Sequence, residues 1–335
     1  MSCANKDQVL QYMLKLIDEG DSQIAAKTTE YFGISKSSVY NYLRELSDGG
    51  IIEKNNGAYG ISYKQYNFSY ENDGKLGEDR IFTRDIEPLL SELPKNTVSV
   101  WRYSFTEMMN NAIEHSSAKE IIVSIRKSIF KTVLIIADNG IGIFKNIQNF
   151  LSAKGEELSL DECAALLFAG KFTTAEILHS GEGIFFTSHM MDGFMIISDE
   201  IIFTRDNFAD SNNITNHKNG TIVYMELNNH TKKTTLEIFN RFSSIDEGFI
   251  KTSIPIAHFF PSGYPVSRSE ARRLGETILK FEEIDLDFSG VEEVGQAFVH
   301  ELFVVWQTRN PEKKLNVLNA SEGVTFMIRR VLNTK

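Results

Sequence analysis

The chain of 335 residues contains little cysteine and no long apolar run. Only Cys3 and Cys163 are present, which excludes a disulfide framework and a cysteine-rich zinc site and predicts a reducing, cytoplasmic location. No stretch approaches the roughly 18–20 apolar residues of a membrane span. Residues 1–20 lack the basic start and apolar core of a signal peptide. We therefore expect no association with a membrane.

Positive charge is also in deficit, with 35 basic against 45 acidic residues and a net charge of −10. The whole chain is thus not a general binder of polyanions. The acidity is concentrated in residues 66–253, whereas residues 1–65 contain 7 basic and 8 acidic residues. The net charge therefore neither requires nor forbids nucleic-acid binding by residues 1–65. A hydrophobic content of 42% excludes wholesale disorder, and the length predicts two or three domains.

Residues 1–65 predict three short helices followed by a β-hairpin. Apolar residues recur at helical spacing from Val9 to Ile17, Gly33 ends a second short helix, and the polar run from Ser35 begins a third. Two strand-like runs then flank Asn56-Gly57, a pair typical of a tight hairpin turn.

This order of elements resembles the winged helix-turn-helix family. The resemblance implies that the third helix enters the major groove of DNA with its N-terminal side chains. The residues that would then face DNA are Ser35, Lys36, Ser37, Ser38, Tyr40, Asn41 and Arg44, with Lys54 beside the tip of the wing. A role in dimerisation or protein docking stays open, because the segment lacks the basic stripe of a strong DNA binder.

The rest of the chain divides into a linker and two further regions. Residues 66–79 are polar and contain glycine without a sustained period, which predicts a linker. Helices alternate with β-rich runs over 80–250, and a cluster of three prolines then precedes a βαβ-type region over 251–335. The fold class predicted is multidomain α+β.

Four motifs in residues 80–250 point to a nucleotide site. Helical phase aligns Glu107, Asn111 and His115 on one face, a set suited to Mg²⁺ and phosphate, although a surface helix can carry such a trio by chance. The second motif is Asp138-Asn139-Gly140-Ile141-Gly142. Its carboxylate is a hydrogen-bond acceptor, and its glycines let a ligand approach the backbone closely. Gly181 and Gly183 lie where an apolar helix begins, so backbone amide groups without side chains around them can bind phosphate there. Gly220-Thr221 precedes a strand in which apolar and polar residues alternate.

The order of these motifs resembles the GHKL ATPases, the group of gyrase B, the heat-shock chaperone ATPase, histidine kinases and MutL. The resemblance implies a Bergerat α/β sandwich with ATP and Mg²⁺ as its ligands. The implied roles are Asn111 as the Mg²⁺ ligand, Glu107 as the general base, His115 as a phosphate contact, Asp138 with Gly140, Gly142 and Thr221 at the adenine end, and Gly181 and Gly183 at the phosphates. An ATP lid would span about 144–180, in which Lys171 is either a γ-phosphate contact or a solvated lysine.

Glu107 distinguishes between members of that group. Histidine kinases generally lack an acid four residues before the Mg²⁺-binding Asn, whereas the hydrolysing members and the anti-sigma-factor serine kinases have it. We therefore predict a slow, Mg²⁺-dependent ATPase, with protein kinase activity as the alternative.

Residues 251–335 resemble STAS domains, the fold of the anti-sigma-factor antagonists, and among these the STAS-like domain of unknown function. Ala297 occupies the position of the antagonists' phosphorylated Ser, so phosphoryl transfer to that site is chemically impossible. Ser289 is interpreted as a turn or cap residue. We therefore expect a module that docks a protein partner or dimerises.

Three functions remain open from the sequence. The first is a switch in which ATP binding by the GHKL domain changes DNA binding by the winged helix, with ATP-dependent homodimerisation that pairs two recognition helices. The second is an anti-sigma-factor-type serine kinase that acts on a separate protein. The third is a nucleotide-gated scaffold in which DNA plays no part.

Overall fold

The computed structural model describes residues 5–155, 157–170, 182–198, 201–204, 219–244, 248–260 and 264–333. Its architecture is mixed α/β with several sheets, in agreement with the multidomain α+β prediction. Contacts between residues divide the chain into two compact units. One contains residues up to Asn67 together with Ser124–Leu134, and the other contains Phe68–Val123 and the chain from Ile135 onward. No helix within the described ranges is long and apolar enough to cross a membrane.

The N-terminal unit begins with the three helices and the hairpin that the sequence predicts. The elements are α1 (Lys6–Asp18), α2 (Ile24–Phe32), α3 (Lys36–Asp48), β1 (Ile52–Asn55) and β2 (Ala58–Ile61). Gly33 ends α2 in the left-handed conformation, and the Ser35 hydroxyl caps α3 by accepting from the amide of Ser38. Asn56 and Gly57 both have positive φ, as the turn between two twisted strands requires. A core of eleven buried apolar residues, with Val9, Met13 and Val39 among them, holds the helices and hairpin together.

The predicted linker over 66–79 is wrong in its first part, because β3 spans Lys64–Glu71. Tyr66, Phe68 and Tyr70 alternate along this strand, a short period-2 pattern within otherwise polar sequence. This strand is the edge strand of a six-stranded sheet. The Ser69 hydroxyl donates to the carboxylate of Glu120, on the neighbouring strand, over 2.7 Å. Pairing with a neighbouring strand thus stabilises a segment whose composition alone is typical of a loop.

The middle region contains α4 (Glu78–Ile81), a π-helical turn (Phe82–Ile86), α5 (Glu87–Leu90), α6 (Lys95–Glu114), β4 (Glu120–Lys127), β5 (Lys131–Asp138), α7 (Ile143–Ala153), α8 (Leu160–Ala169), α9 (Gly183–Met190), β6 (Gly193–Ser198), β7 (Ile201–Thr204), β8 (Thr221–Asn228), α10 (Thr235–Phe242), β9 (Ser243–Ser244) and β10 (Gly248–Phe249). The six-stranded sheet has the order β3-β4-β5-β8-β6-β7, with β6 antiparallel to both β7 and β8. Two helices that carry predicted site residues, α6 and α9, pack directly against each other.

The C-terminal region contains β11 (Lys251–Pro255), α11 (Ile256–Phe259), α12 (Arg268–Ile278), β12 (Glu283–Asp287), α13 (Gln296–Val299), a π-helical segment (His300–Trp306), α14 (Gln307–Arg309), β13 (Lys314–Leu318) and α15 (Glu322–Leu332). The three strands form a parallel sheet in the order β11-β12-β13. A capping box between Ser267 and Glu270 starts α12. The alternation of strands and helices along this region is confirmed.

Direct contacts cross the predicted domain boundary at residue 250, within one compact unit. The Thr252 hydroxyl of β11 donates to the carbonyl of Ala169 at the end of α8 over 2.5 Å. Arg273 of α12 forms an ion pair with Glu162 of α8, also at 2.5 Å. Helix α8 lies in the segment predicted as the ATP lid, so part of that segment is packed on the C-terminal region.

Candidate functional site

Helix α6 carries two of the three residues predicted to share a face. Glu107 and Asn111 are four residues apart on α6, and both side chains are partly exposed. His115 follows the helix as its C-cap, and its amide donates to the carbonyl of Asn111 over 3.0 Å. The helix therefore ends one residue before the predicted phosphate contact.

The carboxylate of Glu107 lies against the first residue of α9. A Cβ atom added to Gly183 would stand 2.0 Å from Oε2 of Glu107, far closer than van der Waals contact. Only glycine allows this approach, so the glycine predicted beside the phosphates is also needed to accommodate the predicted base. Tyr103, one helical turn before Glu107, has its pKa raised by burial and by the carboxylates of Glu107 and Glu182.

The loop after β5 is held in a fixed shape around Asp138. This carboxylate is buried, and its Oδ1 accepts from the amide of Gly140 over 2.8 Å. Gly140 packs on the backbone of Ser116, since an added Cβ would stand 2.0 Å from that carbonyl oxygen. Gly142 has a φ of 86° at the start of α7, a conformation that favours glycine.

Thr221 lies beside this loop and contacts it directly. The amide of Ile143 lies 3.0 Å from both the Thr221 hydroxyl and the Ser198 hydroxyl, and both accept from it. Gly220 has a φ of 82°, and a Cβ there would stand 1.9 Å from the carbonyl oxygen of Asp138. Gly220, which precedes Thr221, thus packs on the backbone of Asp138.

Sequence reasoning missed Ser198, Tyr103 and the close contact of Gly220 with Asp138. Ser198 pairs with Thr221 across β6 and β8, and its hydroxyl donates to the carbonyl of Gly220 over 3.0 Å. No local pattern marks Ser198, because its role depends on strand register between segments more than twenty residues apart. Gly220 directly precedes Thr221 in the Gly-Thr motif, so the sequence did contain a pattern that marks Gly220.

The described side chains at this place would supply few protein ligands to a metal ion. No group of three His, Cys, Asp or Glu side chains in the described ranges is placed to hold a metal ion. Mg²⁺ usually keeps several water ligands and takes few from the protein when phosphates are present, so Asn111 as a single protein ligand is compatible with that chemistry. Two predicted site residues, Lys171 and Gly181, lie outside the described residues.

The residues predicted to face DNA lie on and beside α3. Lys36, Ser37, Tyr40, Asn41 and Arg44 are exposed, opposite the buried Val39, Leu43 and Leu46. The hydroxyls of Ser35, Ser37 and Ser38 form hydrogen bonds among themselves at the start of the helix, at 2.7 and 2.9 Å. Lys54 lies on β1, with its ammonium group 5.3 Å from the centre of the Tyr59 ring.

In the C-terminal region, Ala297 lies in the first turn of α13. The amide and hydroxyl of Ser289 both donate to Oδ1 of Asp287, at 2.9 and 2.7 Å. Ser289 is therefore a turn residue, as interpreted from the sequence.

Comparison with known proteins identifies one region of the chain. Residues 270–325 match the family model of the STAS-like domain of unknown function. The STAS-like prediction for the C-terminal region is thereby confirmed over this range. No curated protein matches the chain.

Proposed function

We propose that this protein is an ATP-dependent switch, in which a GHKL-type nucleotide site controls a winged-helix unit that binds DNA. The observation that carries the proposal is that the C-terminal ends of α6 and β5 and the start of β8 lie together. Asp138, Gly140 and Thr221 lie near the C-terminal end of α6, and Glu107, which contacts Gly183 of α9, lies earlier in α6.

The spacing along α6 supports an elongated ligand. Gly140 of the loop that contains Asp138 packs on Ser116 just after α6, whereas Glu107 lies seven residues before the end of α6, which corresponds to about 10 Å of helix. A group bound at Asp138 and a reacting phosphate near Glu107 would therefore belong to a molecule with the extended shape of a nucleoside triphosphate. Asp138 accepts a hydrogen bond from a base amino group, and the amides at the start of α9 face the phosphates.

In the proposed reaction, Glu107 orients a water molecule and accepts its proton as the water attacks the terminal phosphorus, while the bond from this phosphorus to the β-phosphate oxygen breaks and ADP leaves. Asn111 would hold Mg²⁺ through its amide oxygen, and His115 would contact a phosphate oxygen. General-base assistance is worth roughly 10²–10⁴ in rate. Glu107→Ala is therefore expected to bind ATP and to hydrolyse it at least about 100-fold more slowly. Unchanged turnover of the purified variant would exclude this role.

The switch itself is tested by measuring molecular size and DNA binding with and without a non-hydrolysable ATP analogue. We expect the analogue to promote dimerisation and DNA retention, because one copy of a nearly neutral winged helix binds DNA weakly. If the analogue changes neither size nor DNA binding, the switch is excluded.

A second candidate, a serine kinase for a separate partner protein, is favoured by the STAS-like match. STAS domains resemble the anti-sigma-factor antagonists, and Ala297 stands where those antagonists carry the phosphorylated Ser, so an acceptor would have to lie on another protein. Transfer of label from γ-labelled ATP to a partner protein would support the kinase over the switch.

A further inference from the structure

The tip of the β4–β5 hairpin belongs to the N-terminal unit, although it is distant from that unit in sequence. Phe130 packs against the core that α1–α3 and the β1–β2 hairpin build. The Gln65 side chain donates to the Ser124 hydroxyl over 3.4 Å, and the guanidinium of Arg126 lies 4.7 Å from the centre of the Tyr63 ring. Residues 124–134, called here the hairpin tip, are therefore part of the surface that this unit presents.

Hydrogen bonds hold the hairpin tip in a closed turn. The Ser128 hydroxyl accepts from the amides of Phe130 and Lys131, at 3.2 and 3.1 Å. The Ser128 amide donates to the carbonyl of Lys131 over 2.9 Å. The backbone of this turn is therefore ordered before a ligand binds, so less conformational entropy is lost on binding.

The hairpin tip reverses the charge balance of the N-terminal unit. It contains Arg126, Lys127 and Lys131 and no acidic residue. Residues 1–67 contain seven basic and eight acidic residues, so the tip changes the balance to ten basic against eight acidic. The shortage of positive charge that weighed against DNA binding is therefore a property of residues 1–67 alone.

The aromatic contacts relate Arg126 to the wing. Lys54 lies over Tyr59 and Arg126 lies over Tyr63, and both tyrosines pack against the same core. The Cα atoms of the two tyrosines are four residues apart, which is at most about 13 Å along an extended chain. A guanidinium stacked on an aromatic ring keeps its planar set of donors, whose geometry matches phosphate. Both cations thus lie over tyrosines that belong to one short stretch of the N-terminal unit.

We propose that the hairpin tip, through Arg126 with Lys127 and Lys131, binds the phosphates of duplex DNA beside the wing. The inference rests on the proposed function, since it extends the DNA-binding surface of the same unit. Contacts to phosphates are independent of base sequence, so the tip contributes affinity and salt dependence while α3 contributes specificity.

The test measures binding of the full-length protein, with the ATP analogue, to labelled duplex DNA across a salt series. Arg126→Ala is compared with the wild type and with Lys15→Gln, a control in the same unit whose lysine lies on α1 and pairs with Glu19. A plot of the logarithm of the binding constant against the logarithm of the salt concentration has a negative slope, and each lost phosphate contact makes it less steep by about 0.9. The loss of affinity between 50 and 200 mM salt then becomes about threefold smaller. We expect this change for Arg126→Ala on every duplex sequence, and none for Lys15→Gln.

A gain of charge provides a second arm that does not depend on removing Arg126. Ile129 is 41% exposed at the tip, so Ile129→Lys should increase both the affinity and the salt slope by about one phosphate contact. If neither substitution changes DNA binding, the inference is overturned, while DNA binding by α3 is left intact. Competition by polyglutamate as effective as that by DNA would also overturn it, because the tip would then bind an acidic protein. If the wild type does not bind DNA at all, the proposed function itself fails.

Discussion

The contact between Gly183 and Glu107 allows the proposed base to be displaced without being removed. In Gly183→Ala, the new Cβ would stand 2.0 Å from Oε2 and 2.9 Å from Cδ of Glu107. Ordinary contact begins at 3.4 Å, so the carboxylate must move by roughly 1.4 Å. The atoms that move belong to the end of a flexible side chain, and Gly183 is the first residue of α9, where alanine keeps only part of the preference of about 1 kcal/mol that it has over glycine inside a helix. Stability should therefore be unchanged or slightly increased.

The expected loss lies in turnover. A misplacement of about 1 Å costs on the order of 100-fold when a catalytic group must be held in an exact geometry. We therefore expect Gly183→Ala to hydrolyse ATP about 100-fold more slowly while it still binds ATP. Steady-state phosphate release and titration with a fluorescent nucleotide measure the two quantities separately. Gly60→Ala is the matched control, because no atom lies within 4 Å of its added Cβ.

The double variant Gly183→Ala/Glu107→Ala makes the test specific. If Gly183→Ala acts only by displacing Glu107, the double variant is no slower than Glu107→Ala alone, since the two changes remove one interaction. Two results would refute the reasoning. One is turnover of Gly183→Ala within about threefold of the wild type, and the other is a further loss of about 100-fold in the double variant.

Two further predictions concern the loop after β5 and the C-terminal sheet. Gly140→Ala places a Cβ 2.0 Å from the Ser116 carbonyl oxygen, so the backbone must move. We expect the free energy of unfolding, measured with urea, to fall by about 1–3 kcal/mol and ATP binding to weaken. A stability equal to that of Gly60→Ala would contradict this expectation. Hydrogen bonds from Asn316 and Lys251 lower the pKa of Glu283 from 4.5 to about 2, so Glu283 stabilises the fold above pH 4.5 and this contribution is lost as pH falls toward 2. In thermal unfolding, the advantage of the wild type over Glu283→Gln should thus be constant above about pH 5 and shrink below it, and an advantage that grows on acidification would disprove the assignment.

Local patterns were sufficient for the helices and the tight turns. The spacing of Val9 and Met13 predicted α1, and Asn56-Gly57 predicted the β1–β2 turn, because helix phase and positive φ are properties of a few consecutive residues. The same kind of signal predicted the alternating strands and helices of the C-terminal region, where the STAS-like match was later found. Residues 66–71 were assigned to a linker and lie in β3, because the pairing partner of this strand is in another segment.

The sequence by itself determined which residue types were available for a nucleotide site and the order in which they occur. Only the tertiary structure decided that Gly183 faces Glu107, that Gly220 packs on Asp138, and that α8 contacts the C-terminal region. It also decided that a basic hairpin tip belongs to the N-terminal unit and changes its charge balance. The physical reason is the same in each case. Close packing joins residues far apart in the chain, and no period within a single segment encodes such contacts.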